Sequence, residues 1–175
     1  MDSEAEQQLV SRAQAGDMEA LGQLWDMSSP RLFGYLVNTL RDKQLAEDVF
    51  QSTWLRAAEH IAGYQFRGVG FSSWLFAIAR NECRQLWRKS NRAEEHVLQT
   101  EPVSHEHEAL HSKLLVDQAL SKLSESDQEL LRLRYIADLS INEIAKTLNS
   151  NSVAVRVRVS RALARVRTVI NTSHI

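Results

Sequence analysis

Apolar residues return every three or four positions over residues 4–89 and again from 112 onward, the spacing that lines one face of an α-helix. In AEDVFQSTWLRAAEHI, the arc of Ala46, Phe50, Thr53, Trp54, Ala57 and Ile61 predicts a buried face. The opposite arc carries Asp48, Gln51, Leu55 and Glu59. In FSSWLFAIARNECRQLWRK, Leu75, Phe76, Ala79, Cys83, Leu86 and Trp87 form an apolar back, and Arg80, Asn81, Arg84, Gln85 and Arg88 form the front. Between these two stretches lies GYQFRGVG, a glycine-bounded loop with two aromatics and an arginine.

One run breaks the pattern. In SVAVRVRVSRALARVR, residues 152–167, apolar and mostly β-branched positions alternate from Val153 to Val159, as in a half-buried strand. No second strand is available to pair with it, and the Arg-Ala-Leu-Ala-Arg continuation favours a helix. Wound helically, Val155, Val159, Ala162 and Val166 share a narrow arc at spacings of four, three and four. The outward arc then holds Val153, Arg156, Val157, Ser160, Arg161 and Ala164.

Start signals support the helical reading. Ser124 and Ser126 precede Asp127 and Glu129 by three residues, and Ser140-Ile141-Asn142-Glu143 fits a capping box, so helices are predicted to begin near 126 and 141. The second places Ile141, Ile144, Ala145 and Leu148 on one face, with Ala145 small enough for a following helix to approach. Asn149 suits a left-handed helix end and Asn151 an N-cap. A short helix, a tight turn and a basic helix make a helix-turn-helix.

Composition agrees with an all-α class: the chain has six Gly, two Pro and no Asn-Gly or Asp-Gly hairpin turn. The acidic, polar start and the absence of a long apolar run predict a cytoplasmic protein. The single cysteine, Cys83, excludes an internal disulfide and reads as a buried thiol. The formal net charge of −1 conceals segregation: no acid follows Arg156, where Arg156, Arg158, Arg161, Arg165 and Arg167 crowd together, whereas Glu94, Glu95, Glu101, Glu106 and Glu108 cluster mid-chain. Residues 92–111 lose apolar periodicity and read as an acidic, flexible joint. The expected organisation is therefore one domain over 1–91, the joint, and a smaller domain over 112–175.

Several residues carry candidate chemistry. Leu55, framed by Asp48, Gln51 and Glu59, fits either a docking surface with an apolar anchor and polar rim or a solvated face with one stray leucine. The guanidiniums and amides of Arg80, Asn81, Arg84 and Arg88 suit phosphate and base contacts. Tyr64 and Phe66 fit two roles equally: stacking on unpaired bases or closing the core. On the final helix, valines can meet thymine methyls while arginines bond guanine or phosphate.

The segments AEDVFQSTWLRA, FSSWLFAIARN and LSINEIAKTLNSNSVAVRVRVSRALARVR resemble, in order and spacing, bacterial sigma-70 family factors of the extracytoplasmic function (ECF) group. The resemblance covers nearly the whole chain apart from the joint. It implies a transcription initiation factor without cofactor or enzymatic activity, built from a sigma region 2 helical bundle and a sigma region 4 helix-turn-helix. It implies that Asp48, Gln51, Leu55 and Glu59 face core RNA polymerase, with the β′ clamp helices and the β flap as docking sites. Tyr64, Phe66, Arg67, Arg80, Asn81, Arg84 and Arg88 would recognise and melt the −10 element. Asn151, Ser152, Val153, Arg156, Val157, Ser160 and Arg161 would read the −35 duplex, with Arg158 to the flank and within reach of Glu143. An anti-sigma factor is a further implied partner. The family often has glycine where Asn149 stands and a small or hydroxylated residue where Val157 stands, which makes this reading surface unusually apolar.

Two rival readings remain. His105, His107 and His111 with Glu106 and Glu108 form a metal-ligand-like cluster, although histidines in a polar joint are usually solvated. An autonomous two-domain helix-turn-helix regulator would bind duplex tightly without polymerase. Hydrolytic chemistry is disfavoured, because no Gly-x-Ser-x-Gly, His-Glu-x-x-His or phosphate-cradling glycine loop occurs.

Overall fold

Aspartates start the two helices around which the first half is built. The Asp17 carboxylate accepts the free N–H groups of Glu19 and Ala20, and Asp42 accepts that of Leu45, each replacing a partner that the first helical turn lacks. A computed structural model of the chain describes residues 3–66, 68, 70–93 and 119–172. Among them the elements are α1 (Ser3–Gln14), α2 (Met18–Leu40), α3 (Lys43–His60), a 3₁₀ turn (Ile61–Gly63), α4 (Phe71–Ala93), α5 (Glu125–Tyr135), α6 (Ile141–Thr147) and α7 (Ser152–Thr172). The fold is all-α, and no strand occurs among the described residues.

Helices α1–α4 pack as a bundle around Leu24, Leu32, Tyr35, Leu36, Trp54, Phe71, Leu75 and Phe76. The predicted inner arc of α3 is inward: Ala46, Thr53, Trp54, Ala57 and the following Ile61 are buried, and Phe50 sits edge-on to Trp25 at 5.0 Å. On α4 the apolar back is covered from Leu75 through Cys83, but Trp87 emerges exposed, because the helix runs on beyond the core that covers its earlier turns. Arg56 on α3 pairs with the buried Glu82 of α4 at 2.8 Å, which fixes the two helices in register.

In the second half, Ser124 caps α5 by accepting the Asp127 N–H. Ser126, expected to start a helix as well, lies within the first turn, its hydroxyl 3.1 Å from that of Ser124. The Ser140 capping box forms in both directions, with Glu143 accepting the Ser140 N–H at 2.8 Å. Asn149 takes the left-handed conformation at φ 50°, and Asn151 accepts the Val153 N–H at 2.7 Å to begin α7. The alternating valine run is helical throughout: Val155, Val159 and Ala162 are buried and Val166 is half-buried.

The buried core continues from one half into the other. α6 packs on α4 and α5 on α2. Gly34 of α2 faces Ile136 across this contact; a Cβ at that glycine would stand 3.5 Å from its methyl, an ordinary packing distance. The buried Thr147 hydroxyl donates to the Ser73 carbonyl at 3.1 Å. Of the expected joint, Arg92 and Ala93 continue α4, and 94–111 lies outside the described residues.

Candidate nucleic-acid interface

Helix α7 sorts its arginines by geometry. Asp127 of α5, itself mostly buried, accepts Arg158 through Oδ1 at 3.2 Å and Arg165 through Oδ2 at 3.0 Å. The expectation that Arg158 pairs with Glu143 is corrected: Glu143 is committed to the Ser140 cap, and Asp127 lies across the helix packing where Arg158 can reach it. Arg156 projects from the opposite side and Arg161 from the edge next to Arg158 and Arg165, three and four residues away; both are exposed, with no ion pair among the described residues. With them on the surface stand Asn151, Ser160, Val153 at 64% exposure and Val157 at 42%; Ser152 is half-buried at the helix start. This face offers guanidiniums and methyl groups on one rod, the combination suited to base edges in a major groove.

Helix α4 presents a second polar face. Asn81, Arg84 and Arg88 are exposed, whereas Arg80 is engaged. Its Nε donates to Glu129 Oε1 at 2.6 Å and its Nη2 to Oε2 at 3.4 Å, a bidentate pair in which both side chains are only 21% exposed. The preceding loop divides its aromatics between the two roles the sequence left open. Tyr64 packs 5.1 Å from Trp74 and 6.1 Å from Phe71, and burial pushes its phenol up to about 12, so it closes the core. Phe66 is 46% exposed and remains free to stack. Arg67 lies outside the described residues.

On α3, Asp48, Gln51, Leu55 and Glu59 are all exposed on the outer face, with Leu55 at 63%. Cys83 is buried, and its thiol is pushed up to about 12 by burial first and by the Glu129 carboxylate second. Sequence reading named Asp127 and Glu129 only as helix-start acids and passed over Gln14 and Glu6; the partners of all four lie on other elements. The cluster of His105, His107 and His111 lies outside the described residues; among those described, no group of three metal-ligating side chains assembles. No helix among the described residues is long and apolar enough to cross a membrane.

Residues 24–93 match the Sigma-70 region 2 family, and residues 113–166 match Sigma-70, region 4. The ECF RNA polymerase sigma factor BldN of Streptomyces coelicolor is 31% identical, over 94% of this chain and 67% of that protein. The ECF RNA polymerase sigma factor SigM of Bacillus subtilis is 26% identical, over 86% of this chain and 95% of its own. Two solved structures share the fold at 24% identity. CnrH, in complex with the cytosolic domain of CnrY, superposes with a TM-score of 0.74 over 96% of this chain and 98% of that one. RpoE from Bartonella quintana, in complex with the anti-sigma factor NepR, gives 0.71 over 86% and 96%.

Proposed function

Since the chain belongs to the ECF group of the sigma-70 family, whose members are transcription initiation factors, we propose that it docks on core RNA polymerase, reads the −35 element as duplex and opens the −10 element. The outer face of α3, with Leu55 as apolar anchor among Asp48, Gln51 and Glu59, is the polymerase contact. The exposed face of α7 enters the major groove at −35. Phe66, Asn81, Arg84, Arg88 and, once released, Arg80 act on the −10 strand. The domain division expected from sequence, 1–91 and 112–175, assigns the first role set to one half and the −35 role to the other.

The observation that supports this reading is the pairing of arginines on α7: Arg158 and Arg165 are tied to Asp127, and Arg156 and Arg161 are exposed and unpaired among the described residues, beside exposed valines. Evenly solvated arginines would serve a generally soluble helix equally well. A helix that ties some guanidiniums to a neighbouring carboxylate and leaves others unpaired beside exposed methyl groups has a directed surface.

Charge balance supports dependence on polymerase. Phosphate neutralisation with counterion release supplies most non-specific DNA affinity. A chain of net charge −1 has little of it in excess, so binding waits on the additional contacts of the holoenzyme. An anti-sigma factor, the class of partner that RpoE carries in its complex, would act by covering these same surfaces.

Footprinting of holoenzyme carrying Arg161→Ala tests the proposal. Loss of a bidentate base contact weakens −35 occupancy by about 1–3 kcal/mol, whereas Arg158→Ala leaves the upstream footprint in place. An unchanged footprint for Arg161→Ala removes that residue from the interface. Tight, sequence-specific duplex binding by the chain alone would favour the autonomous regulator instead.

A further inference from the structure

Among its described residues, 64–66, 68 and 70, the segment between the 3₁₀ turn and α4 forms no helix or strand, so their backbone groups need partners from elsewhere. Helix α1, which precedes the matched segment 24–93, provides them at both ends. At the entry, the Gln14 side-chain amide uses both of its hydrogens, donating to the Ile61 carbonyl at 3.0 Å and the Tyr64 carbonyl at 2.7 Å. At the exit, the buried Glu6 carboxylate accepts the Ser72 N–H at 3.3 Å and lies 3.5 Å from the Ser72 hydroxyl. A carboxylate there faces the free N–H groups and positive end of α4. Gly70 makes room for it, since a Cβ at that position would overlap the Glu6 carboxylate. Between the two anchors, Gln14, Tyr64, Phe66 and Phe71 line one shallow pocket.

We propose that Gln14 and Glu6 are positioning residues for promoter opening: α1 clamps both ends of the loop so that Phe66 is held in a stacking-ready orientation over the α1 pocket. Neither residue touches nucleic acid. A loop fixed at both ends loses less conformational entropy when Phe66 meets an unstacked base, and the saving falls on the opening step rather than on polymerase docking. The inference rests on the assignment of this loop to the −10 strand.

The test uses holoenzyme and a promoter duplex that the wild-type holoenzyme selects from a randomised library. Core affinity, the upstream footprint and the rate of permanganate-detected strand opening are measured for each variant. Gln14→Ala and Gly70→Ala are expected to open DNA about tenfold more slowly, with core affinity and the −35 footprint unchanged. Glu6→Gln, which keeps a carbonyl acceptor for Ser72, retains most of the opening rate, as does Gln8→Ala on the exposed side of the same helix. Wild-type opening by Gln14→Ala alongside slow opening by Phe66→Ala overturns the role of α1 and leaves the loop assignment standing. Wild-type opening by Phe66→Ala overturns the loop assignment, and the inference with it. A parallel fall in core affinity and opening for Gln14→Ala marks a general loss of structure and overturns the inference as well.

Discussion

Asp127 holds two guanidiniums with one carboxylate and so separates the paired arginines of α7 from the unpaired ones proposed to meet DNA. Asp127→Asn should lower stability by about 1–2 kcal/mol in denaturant unfolding, since two partly exposed ion pairs weaken together while their arginines can still reach water. Cys83 shows the opposite use of burial. With its thiol raised from 9.0 to about 12 and the Tyr64 phenol from 10.0 to about 12, the folded state holds protons that the unfolded chain releases earlier. Their effect on stability is therefore constant below pH 9 and becomes a progressive loss as pH rises toward 12. Urea midpoints at about pH 8 and about pH 10.5 should differ accordingly, with a smaller difference in Cys83→Ala. The neutral buried thiol should also resist alkylation until the chain unfolds.

At the scale of elements, α7 is a case in which local pattern and context disagree. Alternating valines satisfy a strand template, and the helix exists because Val155, Val159 and Ala162 fill a groove against α5 and α6, each of which is started by its own serine cap. Val155→Ala should cost about 2 kcal/mol, from lost burial plus a partly unfilled cavity. Val153→Ala, on the solvent side, should stay within about 0.5 kcal/mol. Ser140→Ala should cost about 1 kcal/mol, because both bonds of the capping box are lost. Thermal unfolding of the three variants ranks them. Caps, the left-handed Asn149 and the inner arcs of α3 and α7 were legible in the sequence, since each depends on residues within four positions of one another. The Arg158 partner was not, because Asp127 lies 31 residues away and only the packing of α5 on α7 joins them. The same holds for Gln14, whose two acceptors lie 47 and 50 residues on.

Among the described residues, the two halves pack on each other. α6, the first helix of the helix-turn-helix, rests on α4, the helix proposed to carry the −10 face, and Glu129 occupies Arg80. Elements named for positions −10 and −35 lie about 25 base pairs apart, about 85 Å along B-form DNA. Two helices in contact cannot serve both sites at once, so the proposed promoter binding would require the halves to separate. The 26 steps of chain from Ala93 to Ala119 have a fully extended reach of about 90 Å, enough for that separation. Glu129→Ala should weaken the closed form by about 1–2 kcal/mol, seen as faster amide exchange across α6 and a larger radius in solution scattering. Unchanged exchange and radius would show that the apolar part of the contact alone holds the halves together.

Because Arg80 already holds a carboxylate, its proposed transfer to a phosphate would exchange one anion for another instead of neutralising a bare one. Added electrolyte loosens the old partnership as well as the new, so the two losses offset. The ionic-strength slope of −10 strand binding should accordingly be shallower in the native chain than in Glu129→Ala. On that proposal, Glu129 would buffer the chain's sensitivity to the salt around it.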